Sequence, residues 1–341
     1  MIIKRAYHFL TKERNLRNFW KENRNKKGIV VCYHYVNDRQ DGFWKNLHKI
    51  KPDSFRKQIE YFKGQKYNFI GMEDYVNFLE KGVRIPDNFC ILTFDDGLRD
   101  HYDNVFPVLK EFGIKGCFFP LPKSLDGKIL PVHKIHILLA ESRVSDKDLA
   151  KEININLKEI APEKFEEFKI DTVKKMNLDR QKRMNEKYKM DGVLRTNLKY
   201  NLNVMDDGLK NTILDNIFSV YFKDEANIAD SFYLNMEQMK KMSKDGMEFG
   251  AHTINHPRLA LLDKEQKELE IAGSKKMLEE ILEKKVTLFS YPFGSFDGEI
   301  IKICKKCELR GAVTIKSRWN IGLVDRFLIN RIDANNFLKE I

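Results

Sequence analysis

The feature that most constrains this chain is an alternation. Short runs of β-branched, aromatic and aliphatic residues recur between segments whose apolar residues repeat with a helical period. Such runs lie at 28–34, 67–71, 89–94, 115–120, 247–252, 286–291, 310–315 and 327–333. Helix-periodic stretches fill the gaps at 53–63, 73–80, 101–112, 236–243, 263–283 and 298–307. This rhythm predicts an α/β fold built on a mainly parallel sheet. Between about 121 and 235 it gives way to Lys- and Glu-rich, helix-forming sequence, which predicts a mostly helical insertion over 122–230.

The 341 residues, 42% hydrophobic and 33% charged, suit a soluble globular chain with one large domain and an insertion, or two domains. No apolar run approaches the roughly 18 residues of a membrane span. The net charge of +11 is uneven: residues 1–27 hold nine Lys or Arg against two Glu. That distribution argues against a nucleic-acid-binding globule and sets the basic, amphipathic segment 1–27 apart. On a helix it could lie on an anionic membrane surface, or pack on its own domain with a solvated basic side. Without the apolar stretch of a secretory signal, and with five cysteines, three of them inside strand-like runs, the expected location is the cytoplasm, peripheral at the inner membrane face if the basic segment binds there.

Polar residues cluster at the ends of the predicted strands. His34 closes the first, Asp95 and Asp96 follow the third, His252 closes the fifth, Tyr291 and Pro292 close the sixth, and Arg331 lies in the last. The carboxyl edge of a parallel α/β sheet is where ligands bind, so these residues would converge there. TFDDG at 93–97 is also a turn sequence, and turn chemistry alone accounts for Asp-Gly. His252 and His256 stand four apart; two unrelated surface histidines would give the same spacing. Joined by the carboxylate of Asp96, they make a two-His, one-carboxylate set that leaves metal positions open for water and substrate.

TFDDG at 93–97, HTINHP at 252–257 and FSYPFG at 289–294, in that order, resemble the first three motifs of the polysaccharide deacetylase family, also called the NodB homology domain or carbohydrate esterase family 4. Tyr33-His34 and Asn330-Arg331-Ile332 resemble its bacterial branch related to poly-N-acetylglucosamine deacetylases. The resemblance spans about 28–121 and 231–335, and it assigns 28–121 and 231–341 to the catalytic domain. It implies a distorted (β/α) barrel of about seven parallel strands that hydrolyses N-acetyl groups of amino sugars. Carried over by position, Asp95 is the general base and Asp96, His252 and His256 bind a divalent metal ion, zinc being the expected one. Tyr291, Pro292, Phe293 and Gly294 wall the acetyl pocket, and the backbone N–H at Phe293 holds the oxyanion.

Two departures stand out. The third motif carries Ser290 where many members have an arginine that orients the base, which makes Arg331 the substitute candidate; a structural ion pair is the alternative. No histidine follows His256 to act as general acid, so another group serves, or Asp95 returns its proton, or activity is weak; His34 and His101 are the available imidazoles, with His34 favoured because it closes a strand. The departures sustain a second expectation, a weak or inactive glycan-binding or assembly protein that retains the metal site. A third is the same chemistry on a non-sugar amide. Cys304-Lys-Lys-Cys307 sits late in a predicted helix and has no partner pair, so a structural role is expected.

Overall fold

The computed structural model describes residues 26–171 and 192–337. The basic segment therefore lies almost wholly outside the described residues. The chain divides into two compact units: one holds the described residues up to Asp38 with Lys49–Asp126 and those from Asp230 on, the other Arg39–His48 with those of Gly127–Ala229.

The first unit is a (β/α) barrel. Its strands are β1 (Lys27–Tyr33), β2 (Asn68–Phe69), β3 (Asn88–Asp96), β4 (Gly116–Pro120), β5 (Glu248–Phe249), β6 (Leu288–Ser290), β7 (Gly311–Val313), β8 (Asn320–Ile321) and β9 (Ile332–Asp333). Strands β9, β1, β3, β4 and β5 pair in parallel, as do β6 and β7. Parallel single-residue bridges, Ala251 to Phe289 and Val313 to Ile329, carry the wall from β5 to β6 and from β7 towards β9. Seven parallel strands thus run round the ring, distorted because two joints are single bridges. β2 pairs with β3 outside this path, and β8 adds an antiparallel edge at the start of β1.

Side-chain alternation separates two cores. Val30, Ile91, Phe119, Leu288, Val313 and Ile329, one from each of six wall segments, pack together inside the ring, with Tyr75 and Phe78 of the helix Met72–Lys81. The opposite faces pack against surrounding helices: Phe94 lies between Tyr33 and Phe118, ring centroids 5.1 and 4.7 Å away. Phe55 and Ile59 of the helix Pro52–Gly64 cover that layer.

The second unit is helical. The helices Pro131–Ala140, Asp146–Ile160, Val193–Val204 and Asp207–Tyr221 pack through Leu138, Ile153, Leu198, Ile213 and Phe218, all buried. Arg39–His48 belongs to this unit, although it falls within the stretch assigned to the barrel from the sequence. The predicted helix 101–112 is broken into a π-turn, His101–Val105, and an α-helix, Phe106–Phe112. No helix of the described residues is long and apolar enough to cross a membrane.

Candidate active site

Strand parity decides how two adjacent aspartates serve one site. Asp95 continues the inward set of β3 and meets Arg331 inside the ring, both side chains buried. Asp96, the next residue, would point to the opposite face of a regular strand. Its φ of 76° ends the strand, and Gly97 follows at φ 67°. A Cβ on Gly97 would stand 2.6 Å from Pro120 Cβ, so the turn requires glycine on both counts. Thr253 (φ 69°), His256 (φ 58°) and Phe293 (φ 56°) are left-handed too. Such geometry in residues with a Cβ costs free energy and gathers at functional sites.

Asp96 Oδ1 lies 3.5 Å from His252 Nε2 and 3.7 Å from His256 Nε2. One donor atom from each residue falls within 4.8 Å of the others. Metal–ligand bonds of about 2.1 Å in a tetrahedral shell put neighbouring donors about 3.4 Å apart, so this trio fits a zinc-sized divalent ion. His252 Nδ1 stands 2.8 Å from the carbonyl oxygen of Ser290, an acceptor only, so Nδ1 carries a hydrogen and Nε2 is the nitrogen that would ligate an ion. The loop bearing the imidazoles is tied from below. Glu270, on the helix Lys264–Leu282, accepts from the backbone N–H groups of Ile254 (2.8 Å) and Asn255 (3.0 Å), and Thr253 Oγ1 accepts from His256 N–H.

Asp95 is held differently. Arg331 donates to both its oxygens, Nη1 to Oδ1 at 2.7 Å and Nη2 to Oδ2 at 2.6 Å, a bidentate pair. Ser290 Oγ lies 3.2 Å from Asp95 Oδ2 and accepts from Arg331 Nη2 at 3.0 Å. Arg331 Nε donates to the Thr314 carbonyl, and Nη1 reaches Thr93 Oγ1. Burial works against the Asp95 carboxylate, but the Arg331 charge outweighs it and, with His252, holds the pKa far below the carboxylate range. The third motif's serine therefore sits in the network that a guanidinium from the last wall segment completes.

His34 follows β1, and a ring nitrogen lies within 4.8 Å of an Asp95 oxygen and of the Cys32 sulfur. His101 is fully buried between Phe94 and Phe118, and its Nε2 bonds the His34 carbonyl oxygen at 2.9 Å. Its hydrogen bond to the site runs through that backbone. Phe293, in the turn Pro292–Gly294, sets its ring 4.6 Å from His256. The Tyr291 side chain is wholly buried, packed on Phe289 and Phe296. Glu270 was not legible as a site residue, since a helical glutamate carries no motif; Thr93 opens the TFDDG motif, but nothing in that motif points to its bond with Arg331. All five cysteines are free thiols; burial pushes Cys304 up to about 12, which suits a packed group and not a redox pair.

The polysaccharide deacetylase family model matches residues 83–160 and 215–312, about half of the chain. Asp95, Asp96, His252, His256 and 291–294 lie inside the match; His34 and Arg331 lie outside it. YxkH of Bacillus subtilis is 19% identical over 311 residues, 91% of this chain and 72% of that protein. A poly-β-1,6-N-acetyl-D-glucosamine N-deacetylase of Staphylococcus epidermidis is 31% identical over 72 residues, 21% of this chain and a quarter of that relative's length. In fold, the chain is similar to the deacetylase PplD of Streptococcus pyogenes in complex with acetate (TM-score 0.55, 18% identity, 92% of this chain and 97% of that one). It is similar also to IcaB from Ammonifex degensii (TM-score 0.53, 16% identity, 91% and 92%). With a family-model match over half its length, in a (β/α) barrel that brings the motif residues to one edge, the chain belongs to the polysaccharide deacetylase family.

Proposed function

We propose that the protein removes N-acetyl groups from an amino-sugar-containing glycan or glycan precursor, with a divalent ion held by Asp96, His252 and His256 and with Asp95 as general base. The observation that carries this reading is the convergence of those three donors beside a carboxylate engaged by a guanidinium instead of by the metal set. Two adjacent acids thereby take separate tasks. The ion, when bound, supplies Lewis-acid polarisation of the acyl oxygen and lowers the pKa of water. Asp95, kept anionic by Arg331, accepts the proton of the attacking water. The new bond joins water oxygen to the acyl carbon, the carbon–nitrogen bond breaks, and the nitrogen leaves as an amine once protonated. His34 is assigned to deliver that proton, and the Phe293 backbone N–H to hold the oxyanion, where one donor is worth about 3 kcal/mol of barrier. The names of the relatives, poly-N-acetylglucosamine deacetylases among them, support an amino-sugar polymer as the substrate class.

The test is acetate release from N-acetylated oligosaccharides by zinc-loaded protein. Asp95→Asn, which keeps an oxygen for Arg331, is expected to lower kcat by at least about 100-fold while retaining the metal. A wild type that releases no acetate from any N-acetyl sugar, with metal present, would contradict the proposal.

A further inference from the structure

The residues that follow the metal-binding turn form a second, unassigned polar cluster. Asp100 Oδ2 accepts from Asn37 Nδ2 at 2.6 Å and from the Val36 backbone N–H at 3.3 Å. His101 Nε2 bonds the His34 carbonyl at 2.9 Å, and Asn104 Nδ2 donates to the Val36 carbonyl at 2.8 Å. Four hydrogen bonds from one short stretch thus secure residues 34–37, three of them to backbone atoms. Asp100, His101 and Asn37 are buried, where such bonds are costly to leave unmade. The stretch includes a π-turn, His101–Val105, a geometry that recurs at functional sites. It starts four residues after Asp96 and ends against the chain that carries His34.

We infer that Asp100, His101 and Asn104 are positioning residues that hold the His34 imidazole in line with the departing nitrogen, through its backbone and without touching substrate. A carbonyl pinned at His34 and an N–H and a carbonyl pinned at Val36 fix the peptide planes on either side of Tyr35, which sets the direction of the His34 Cα–Cβ bond. Because Gly97–Asp100 links the metal ligand to this clamp, one loop sets both the side where water attacks and the side where the amine leaves. Misplacement of a proton donor by a fraction of an ångström lowers turnover without altering substrate affinity.

The inference rests on His34 being the proton donor, and the experiment separates the two. His101→Phe keeps a ring between Phe94 and Phe118 but removes the donor to His34; His101→Gln keeps a donor. Asn104→Ala is the second variant should His101→Phe not fold. Each is made alone and with His34→Ala, and kcat, KM and bound metal are measured. His101→Phe is expected to lower kcat about 10-fold with KM and metal content unchanged, His101→Gln to recover most of it, and His101→Phe to cost less than about 2-fold once His34 is alanine. Equal losses in both backgrounds, or losses that follow KM or metal content, would overturn the clamp while leaving His34 as the donor. A wild-type kcat in His34→Ala would overturn the donor assignment and the clamp with it.

Discussion

Asp95 carries its charge against a guanidinium that water does not reach. A buried ion pair contributes little net stability, yet removing one partner leaves an uncompensated charge at a cost of about 3–5 kcal/mol. Arg331→Met should therefore destabilise the fold markedly, and it should also change the base. In the wild type the folded pKa of Asp95 is depressed, so its stabilising contribution is present above the unfolded value of about 3.9 and is lost as pH falls towards the folded one. Without Arg331 the desolvation that opposes ionisation is unbalanced, and the pKa rises. Arg331→Met is expected to move the acidic limb of kcat/KM upward by more than one pH unit, with kcat reduced about 10–100-fold; a pH–rate profile with an unmoved limb would show that Arg331 does not tune the base. The serine at 290, where an arginine is expected, is what points to Arg331 in the sequence. It is the small residue that leaves room for an arginine arriving from 41 positions further on.

At the scale of elements, the site is placed by strand ends and secured by a helix. Glu270 reaches from Lys264–Leu282 to two backbone N–H groups of the loop between His252 and His256. Glu270→Ala should leave the three metal donors intact and still weaken metal affinity about 10–100-fold, as loss of a supporting hydrogen-bond partner does; competition with a chromophoric chelator measures it, and unchanged affinity would show that the loop holds itself. The longer strands were legible, because a buried parallel strand is an apolar run bounded by polar residues: β1, β3 and β4 lie close to the runs at 28–34, 89–94 and 115–120. The predicted run 327–333 is instead a bridge at Ile329 and a two-residue strand, since Asn330 and Arg331 turn to pair with Asn320 and Asp95. β8 has no apolar run to announce it. The break at His101–Val105 was invisible to periodicity, which cannot tell a π-turn from the α-helix that continues it.

At the scale of the whole molecule, the account predicts a response to two external variables, pH and a divalent ion. Glu248, beside the start of the helix Met72–Lys81, accepts from the Met72 N–H at 2.6 Å, yet burial, with Glu73 and Asp74 adding to it, pushes its pKa up to about 7. A carboxyl whose folded pKa is raised favours the fold while protonated, so stability is lost as pH rises from about 4 through about 7. The unfolding free energy of the wild type from urea denaturation should fall relative to Glu248→Gln over that interval, by on the order of 1–3 kcal/mol; parallel profiles would show that Glu248 does not titrate with folding. In the proposed function a metal would be held by three residues from two distant parts of the chain, Asp96 from the first stretch of the barrel and the histidines from beyond the helical insertion. An ion that binds only the folded form adds stability in proportion to the logarithm of its concentration over Kd. The most direct measurement is the zinc stoichiometry of the purified protein by equilibrium dialysis with elemental analysis. One ion per wild-type chain is expected, retained by Asp95→Asn and lost in Asp96→Ala and His256→Ala. A wild type that binds no divalent ion, or one that binds equally well without Asp96, would contradict the account.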